Sequence, residues 1–383
     1  MPDIEPIQSA PPAGQAPAVE PAVAAKDSPT DILHFEKWLG ILGERKATDL
    51  HLAAGNVPLL RVDGAIIPLL DEEILTPERL ERIATHLLSE TEIKQLQDTK
   101  EVVTSRTLKK AMRFRLHAFY SRGFITISLR HVSSLDLSPS ELGLPAAVLA
   151  MAKASQGLLI ITGPFDAGKT TTIKTILSDI NRTQAKYIIT FERPIEYLIP
   201  SDKSVVVQRE VGRDTSDFAT GLDSLAEEDV NIVVVGAVDD AATAEHVLRL
   251  ATTGRLVIMA ATSRQSVGAI EKIRDLFVGS DQNRILNLLA DSLVGVVAQI
   301  LLPKVGGGRT LVAEILQGTN PVKSLIRDNK LVQIRNLMLT ARQEGMLTMD
   351  KSLADAVKAG RVSLQDAREQ AIDPTQFSML ISH

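Results

Sequence analysis

The second half of the chain contains short, nearly uninterrupted apolar runs, which are typical of parallel strands buried on both faces. These runs lie at residues 158–161, 187–191, 232–235, 256–260 and 296–302. Helical stretches separate several of them, and one helix is predicted over residues 170–180. Strands that alternate with helices predict a parallel sheet and therefore an α/β fold class.

The first half of the chain has a mixed pattern of short strands and helices. A helix is predicted over residues 76–96, with Thr76 as its N-cap and Pro77 at its first position. Asp63-Gly64 predicts a hairpin turn between two of the strands. The predicted strands lie at residues 50–52, 59–62, 65–67, 113–117 and 124–131.

The ends of the chain differ in composition from its centre. The first 30 residues hold seven of the 18 prolines and seven alanines, which predicts a disordered tail before order begins near Asp31. The predicted organisation is a tail at 1–30, an N-terminal α+β domain at 31–135, a linker at 136–150, an α/β domain at 151–320 and a helical region at 321–383.

Composition excludes several functional classes. Aromatic residues make up 3% of the chain, and 42 basic residues face 47 acidic ones for a net charge of -5, so a nucleic-acid partner is not expected. The chain has no cysteine, which excludes disulfides and thiolate metal sites. Apolar runs long enough for a membrane span and a signal-peptide core are both missing, so we expect a cytoplasmic protein.

A phosphate-binding loop follows the first of the buried runs. Residues 163–170 fit the pattern G-x-x-x-x-G-K-[ST] between a predicted strand and a predicted helix. In such a loop Lys169 would reach the β- and γ-phosphates of ATP, and the Thr170 hydroxyl would bind Mg²⁺. Asp166 is unusual here, because its carboxylate opposes phosphate binding unless it points to solvent. The predicted nucleotide-binding residues are Gly163, Pro164, Phe165, Asp166, Ala167, Gly168, Lys169, Thr170 and Thr171.

Together with this loop, a set of shorter segments carries a family resemblance. They are TDLHL at 48–52, RVDG at 61–64, RFR at 113–115, RG at 122–123, VQREVGRD at 207–214, GGGR at 306–309, AEI at 313–315 and LIRD at 325–328. The chain resembles the hexameric ATPases of type IV pili and type II secretion, most closely the pilus-retraction, PilT-like branch. The resemblance runs from about residue 47 to residue 371.

The resemblance implies a PAS-like N-terminal domain and a RecA-like ATPase domain that assemble as a homo-hexamer. It implies ATP and Mg²⁺ as cofactors, an inner-membrane platform protein as partner, and a peripheral location at the inner membrane. By motif position Arg115 and Arg130, followed by Arg113, are the arginines expected to reach a nucleotide. Guanidinium groups suit this role because they bind phosphate oxygens bidentately. Without the resemblance, these would be read as surface arginines on alternating strands.

The chain departs from the family pattern at its acidic residues. The family segment T-I-E-D-P-I-E is TFERPIE at 190–196, so Glu192 is kept while Arg193 replaces an acid. A cation beside Glu192 would lower its pKa and weaken it as a base, unless Arg193 points outward. After the strand at 232–235, Ala237 stands where the family has its Walker B glutamate. Asp239 and Asp240 follow, two and three residues later.

Two further motifs are changed. The family places histidines at both ends of one strand segment, where this chain has Arg255 and Thr262. Glu227 stands where the family has an arginine before the Walker B strand. These departures are expected to fall around the γ-phosphate while the scaffold is kept, which is the pattern of a pseudo-ATPase.

Three functions stay open at this point. The first is an ATP-binding subunit with weak or lost hydrolysis that assists a paralogous active ATPase. The second is an active retraction ATPase that uses Glu192, with Asp239 or Asp240 compensating. The third is a nucleotide-free adaptor of the same machine, which the retained Lys169 and Thr170 disfavour.

Overall fold

The computed structural model describes residues 29–62, 65–109, 112–132, 137–341 and 344–382. The predicted Asp63-Gly64 turn and nearly all of the predicted tail lie outside these residues. The described chain forms two compact units. The first unit comprises residues 29–102 together with Leu116–Arg130, and the second comprises Val103–Arg115 together with residues 131–382.

The first unit combines helices with a sheet. Its elements are helix α1 (Pro29–Glu44), strands β1 (Asp49–Leu52), β2 (Leu59–Val62) and β3 (Ala65–Pro68), and helices α2 (Pro77–Leu87) and α3 (Glu90–Thr99). Strands β4 (Glu101–Leu108), β5 (Met112–Ser121) and β6 (Phe124–Val132) contribute residues to both units. The strand order is β3-β2-β1-β6-β5-β4.

The single helix predicted over residues 76–96 is wrong, because the structure has two helices there. Thr76 does cap α2, accepting a hydrogen bond from the Arg79 amide, with Pro77 at the first position as predicted. Ser89 then starts α3 with a capping box, in which its side chain and that of Glu92 satisfy each other's backbone amides. Helix α1 begins at Pro29, two residues before the predicted start of order.

The second unit is built on a seven-stranded sheet. Its strands are β7 (Gly157–Thr162), β8 (Tyr187–Glu192), β9 (Val205–Glu210), β10 (Ile232–Val235), β11 (Leu256–Ala261), β12 (Leu293–Pro303) and β13 (Arg309–Gln317). The strand order is β13-β12-β7-β11-β10-β8-β9. All pairs are parallel except β12 with β13, which is antiparallel. The predicted parallel sheet is therefore present, with β9 and β13 as strands that the sequence pattern did not predict.

Helices surround this sheet and continue to the end of the described chain. They are α4 (Pro139–Leu142), α5 (Ala146–Met151), α6 (Lys169–Thr183), α7 (Phe218–Asp223), α8 (Ala241–Ala251), α9 (Ser266–Asp275), α10 (Ser280–Ser292), α11 (Asn320–Arg327), α12 (Val332–Thr340), α13 (Met349–Lys358), α14 (Leu364–Gln370) and α15 (Pro374–Ser382). A 3₁₀ turn, Ser224–Glu227, precedes β10. Within the described residues, no helix combines the length and apolar character that crossing a bilayer requires.

The two faces of the β12–β13 hairpin pack against different helices. Val297 packs on the same face as the apolar residues of α6. Ile300 and Leu302 point to the opposite face, where they pack against Leu353 of α13 and Phe377 of α15. Successive side chains of a strand alternate between faces, so this one hairpin holds helices on both sides of the sheet.

A buried carboxylate joins the hairpin to two other segments. Glu314 of β13 accepts hydrogen bonds from the Ser266 amide (2.8 Å) and hydroxyl (2.6 Å) and from the Met349 amide (3.3 Å). The start of α9 and the start of α13 are therefore tied to the same side chain. The family segment AEI thus supplies a structural link here.

Candidate functional site

The predicted phosphate loop lies where a buried strand passes into a helix. All six residues of β7 are buried, and α6 begins at Lys169. Gly168 has φ 79°, in the left-handed region that favours glycine. At Gly163 a side chain would not fit, because a Cβ would lie 2.4 Å from the Gln299 carbonyl oxygen. The amides of the first turn of α6 lack intrahelical partners and point toward the loop, which is the arrangement that binds phosphate.

Lys169 folds over this loop. Its Nζ donates to the carbonyl oxygens of Gly163 (3.0 Å) and Pro164 (2.9 Å). Burial lowers the pKa of the Lys169 ammonium, and the nearby carboxylate of Glu196 acts in the opposite direction. The amine is thus held at the loop, where a polyphosphate can replace the two carbonyls as its partner. The loop fits the nucleotide that the sequence predicts.

Asp166 turns its carboxylate away from burial. Its side chain is 57% exposed and forms an ion pair of 2.8 Å with Arg309, the first residue of β13. The neighbouring Phe165 is 80% exposed. The backbone of Asp166 has φ 60°, a conformation that aspartate tolerates better than most residues. No motif in the sequence pairs Asp166 with Arg309.

Two threonines follow the lysine on the first turn of α6. Thr170 is partly exposed at the second position of the helix, which fits the Mg²⁺-binding role predicted for its hydroxyl. Thr171 lies with its hydroxyl 3.4 Å from that of Tyr197. If Mg²⁺ binds with the nucleotide, Thr170 is the residue that would hold it and neutralise phosphate charge.

Sequence reasoning missed Gln299, a fully buried residue of β12. Its Nε2 donates to the Ala167 carbonyl at 2.6 Å, while its Oε1 is buried without a hydrogen-bond partner. The Gln299 side chain therefore attaches the phosphate loop to strand β12. No motif signals this role, since the bond joins residues 132 positions apart.

Replacing Gln299 with leucine is expected to loosen the loop and weaken Mg-ATP binding about tenfold. The change leaves the Ala167 carbonyl without its partner, and such a loss in a buried place costs about 1–3 kcal/mol. Isothermal titration with Mg-ATP measures the effect. Gln317→Leu, at the other end of the hairpin, is the matched control, and equal losses in both variants would contradict a specific role for Gln299.

Glu192 lies at the end of β8, half-buried. Its Oε1 accepts from the Thr190 hydroxyl (2.6 Å) and from Gln208 Nε2 (3.0 Å). Burial raises the pKa of Glu192, and these two hydrogen bonds only partly oppose the effect. Arg193 is exposed, with its guanidinium 5.1 Å from the centre of the Phe218 ring. Arg193 thus points outward, which was one of the two alternatives for it.

The raised pKa of Glu192 predicts a pH-dependent stability difference. Its ionised form is disfavoured by folding, so the cost is small at pH 4 and grows as the pH rises through the folded pKa. We expect Glu192→Gln to be more stable than wild type at pH 8, with little difference at pH 4. An advantage of 1 kcal/mol would raise the melting temperature by about 2–4 °C. Melting curves at both pH values test this, and an equal difference at both would contradict it.

The candidate arginines have partners within their own units. Arg115 donates to Glu196 at 3.2 Å, and Arg113 donates to the Ile195 carbonyl at 2.9 and 3.1 Å, both in the segment after Glu192. Arg113 also lies 3.6 Å from the buried Glu210, and its own burial lowers its pKa. The roles predicted for these arginines stay predictions.

In the first unit, Arg130 pairs with the buried Asp49 at 3.1 Å. Asp49 lies opposite both Arg130 and Arg61 in the strand register, and Arg61 approaches it to 3.7 Å. The carboxylate orients Arg130 on the sheet. Its predicted contact with a nucleotide also stays a prediction.

Ala237 follows β10 at the carboxyl end of the parallel strands, where β8 also ends. The preceding Gly236 donates its amide to the Phe191 carbonyl at 2.8 Å, next to Glu192. The methyl group of Ala237 is partly buried against the apolar core. Asp240 accepts hydrogen bonds from the Thr243 amide and hydroxyl as the N-cap of α8. Asp240, one of the two carboxylates expected to compensate for Ala237, therefore already caps a helix, while the other, Asp239, is exposed.

The expectation that all the departures surround the γ-phosphate is wrong for Arg255 and Glu227 within this chain. The Arg255 carbonyl accepts a hydrogen bond from the Gly157 amide at the start of β7, whereas the phosphate loop follows the end of β7. Six residues of strand span about 20 Å. The Arg255 guanidinium instead donates to the Leu225 (3.1 Å) and Glu228 (2.8 Å) carbonyls, beside Glu227. Thr262, by contrast, follows the end of β11, which lies beside the end of β7 where the phosphate loop begins.

Comparison with known proteins agrees with this geometry. Residues 32–369 match the family described as "Type II/IV secretion system protein". The type IV pilus retractation ATPase PilT of Pseudomonas aeruginosa is 32% identical over 349 residues, which cover 90% of this chain and 100% of that protein. The type IV pilus ATPase PilU of the same organism is 28% identical, covering 91% of each chain.

A solved structure shows the same fold. The pilus retraction motor PilT with bound ADP superposes with a TM-score of 0.82 and 37% identity, covering 90% of this chain and 98% of that one. The predicted fold class, an N-terminal domain followed by a RecA-like α/β ATPase domain, is confirmed. The match also confirms the resemblance on which the site prediction was based.

Proposed function

The chain belongs to the Type II/IV secretion system protein family, and from this premise we propose that it is an ATP-binding motor-type subunit with weak or lost ATP hydrolysis. One observation carries the proposal. The phosphate loop keeps its lysine and threonine at the start of α6, while Ala237 lies two residues after β10. A methyl group can neither order a water molecule nor bind the shell of a metal ion.

The loop supports nucleotide binding through its geometry. Lys169 is held over the loop, Gln299 supports it from the sheet, and the amides at the start of α6 face it. A relative crystallised with ADP has the same fold. The cofactors of this chain are accordingly ATP and Mg²⁺, with Gly163–Thr171 as the nucleotide-binding segment.

Slow hydrolysis follows from the position of the carboxylates. Glu192 is kept, but Ala237 removes the second acid, and Asp240 is occupied as a helix cap. The second candidate function, an active ATPase, rests on Glu192, whose raised pKa suits a general base. The third function, a nucleotide-free adaptor, is supported only by the loss of acidic residues from the family motifs.

The proposals for the assembly and the partners are based on membership of the family. We propose a homo-hexamer at the cytoplasmic side of the inner membrane that contacts a platform protein of a pilus or secretion machine. Pseudomonas aeruginosa has two such relatives, PilT and PilU, so one organism can carry more than one ATPase of this family. The domain boundaries at residues 135, 151 and 320 remain part of the proposal.

Two measurements on the purified protein separate the three functions. A titration with a fluorescent ATP analogue and Mg²⁺ is expected to show saturable binding, and steady-state turnover is expected to stay far below 1 s⁻¹. Turnover at or above about 1 s⁻¹ would favour the active ATPase. Failure to bind at millimolar nucleotide would favour the adaptor.

A further inference from the structure

The phosphate loop carries a negative charge in its middle. Asp166 lies between Phe165 and Ala167, three residues before the lysine, with its carboxylate more than half exposed. ATP brings several negative charges to the same loop. An unpaired carboxylate in this loop would add to the negative charge that ATP brings, and like charges repel each other.

Arg309 neutralises this carboxylate. Its Nη1 donates to Asp166 Oδ2 at 2.8 Å, a charge-assisted hydrogen bond. Arg309 is 143 residues away in sequence and starts the second strand of the β12–β13 hairpin. The contact therefore links two parts of the fold that the phosphate-loop pattern does not join.

The turn before Arg309 is built to hold it in place. Gly306, Gly307 and Gly308 have φ values of 91°, 104° and 77°, all in the left-handed region. Lys304 donates its amide to the Gly308 carbonyl (3.0 Å) and accepts from Gly307 (2.9 Å). The turn is thus closed by its own backbone, and it brings the side chain of the next residue to the loop.

We propose that Arg309 is a positioning residue for nucleotide binding, which acts by pairing with Asp166 and removing its charge from the phosphate site. The inference rests on the proposed function, since it assumes that the loop binds ATP. Under this proposal Arg309 is needed for nucleotide binding only because the chain has Asp166. Arg309 itself does not contact the phosphates.

A double-mutant cycle tests this dependence. The four proteins are wild type, Arg309→Gln, Asp166→Asn and the double variant, and the measured quantity is the Kd for Mg-ATP. Asparagine keeps the shape of aspartate and tolerates φ 60°, so only the charge changes. We expect Arg309→Gln to weaken binding about tenfold, Asp166→Asn to equal or exceed wild-type affinity, and the double variant to match Asp166→Asn within about twofold.

Two outcomes would overturn the inference while leaving the proposed function intact. If Arg309→Gln weakens binding equally in both backgrounds, Arg309 contacts the phosphates directly. If it changes nothing in the wild-type background, the pair has no part in binding. A wild type that does not bind Mg-ATP would remove the proposed function, and the inference with it.

The controls separate charge at the loop from general effects. Arg284 pairs with Glu245 at 2.9 Å with similar exposure, so Arg284→Gln is expected to leave the Kd unchanged. Exposed ion pairs contribute little to folding, so all variants should melt within about 2 °C of wild type. Raising the salt from about 0.05 to 0.5 M should reduce the tenfold loss, because exposed charges are screened.

Discussion

The Mg-ATP affinity of Lys169→Ala is expected to be at least about 100-fold lower than that of wild type. The ammonium group lies over the loop, bound to the Gly163 and Pro164 carbonyls at 3.0 and 2.9 Å, and there it is available to bind phosphate. Alanine removes that charge and leaves the loop amides as partners. Titration with a fluorescent ATP analogue measures the change.

Lys153→Ala is the matched control for this variant. Lys153 is an exposed lysine before β7 in the same unit, so its loss changes the net charge equally. We expect its affinity to equal that of wild type. If Lys169→Ala binds as tightly as the control, the loop does not hold the phosphates and the adaptor function is favoured.

The second large effect is a gain. Ala237→Glu is expected to raise ATP turnover about 10- to 100-fold, because a carboxylate at the end of β10 can orient the attacking water beside Glu192. General base catalysis is worth about 10²–10⁴-fold, and a site that has lost its base regains only part of it. Single-turnover hydrolysis with enzyme in excess measures the step.

Ala241→Glu controls for the added charge. Ala241 is also partly buried against the same apolar core, but it lies at the first position of α8. Its turnover is expected to stay at the wild-type level. Arg255 and Glu227 lie at the amino-terminal end of the parallel strands, away from the phosphate loop. Reverting them to the family residues is therefore not expected to add to the gain in turnover. A wild type that already turns over at about 1 s⁻¹ would contradict the premise.

The sequence was most informative where one segment determines its own structure. The continuous apolar runs predicted the central strands of the parallel sheet, and the phosphate-loop pattern predicted the passage from β7 to α6. The strands that were missed, β4, β9 and β13, all lie at sheet edges. In β9 the polar residues Gln208 and Arg209 weaken the apolar pattern, whereas β13 has six consecutive buried residues that include the charged Glu314.

The split between α2 and α3 did have a local signal. Ser89 and Glu92 stand three residues apart, which is the spacing of a capping box, and Ile93 and Leu96 are out of phase with the apolar face of Leu80, Ile83 and Leu87. The contacts of Gln299 and Arg309 with the loop had no such signal. They depend on a hairpin more than 130 residues away, and only the fold brings it to the loop.

Neighbouring residues of β12 are attached to two different parts of the second unit. The Gln299 side chain holds the phosphate loop on one face, and Ile300 packs against the C-terminal helices on the other. A close-packed interior has low compressibility, so a shift of this backbone moves both attachments. The strand is therefore a mechanical link between the phosphate loop and the packing of α13 and α15.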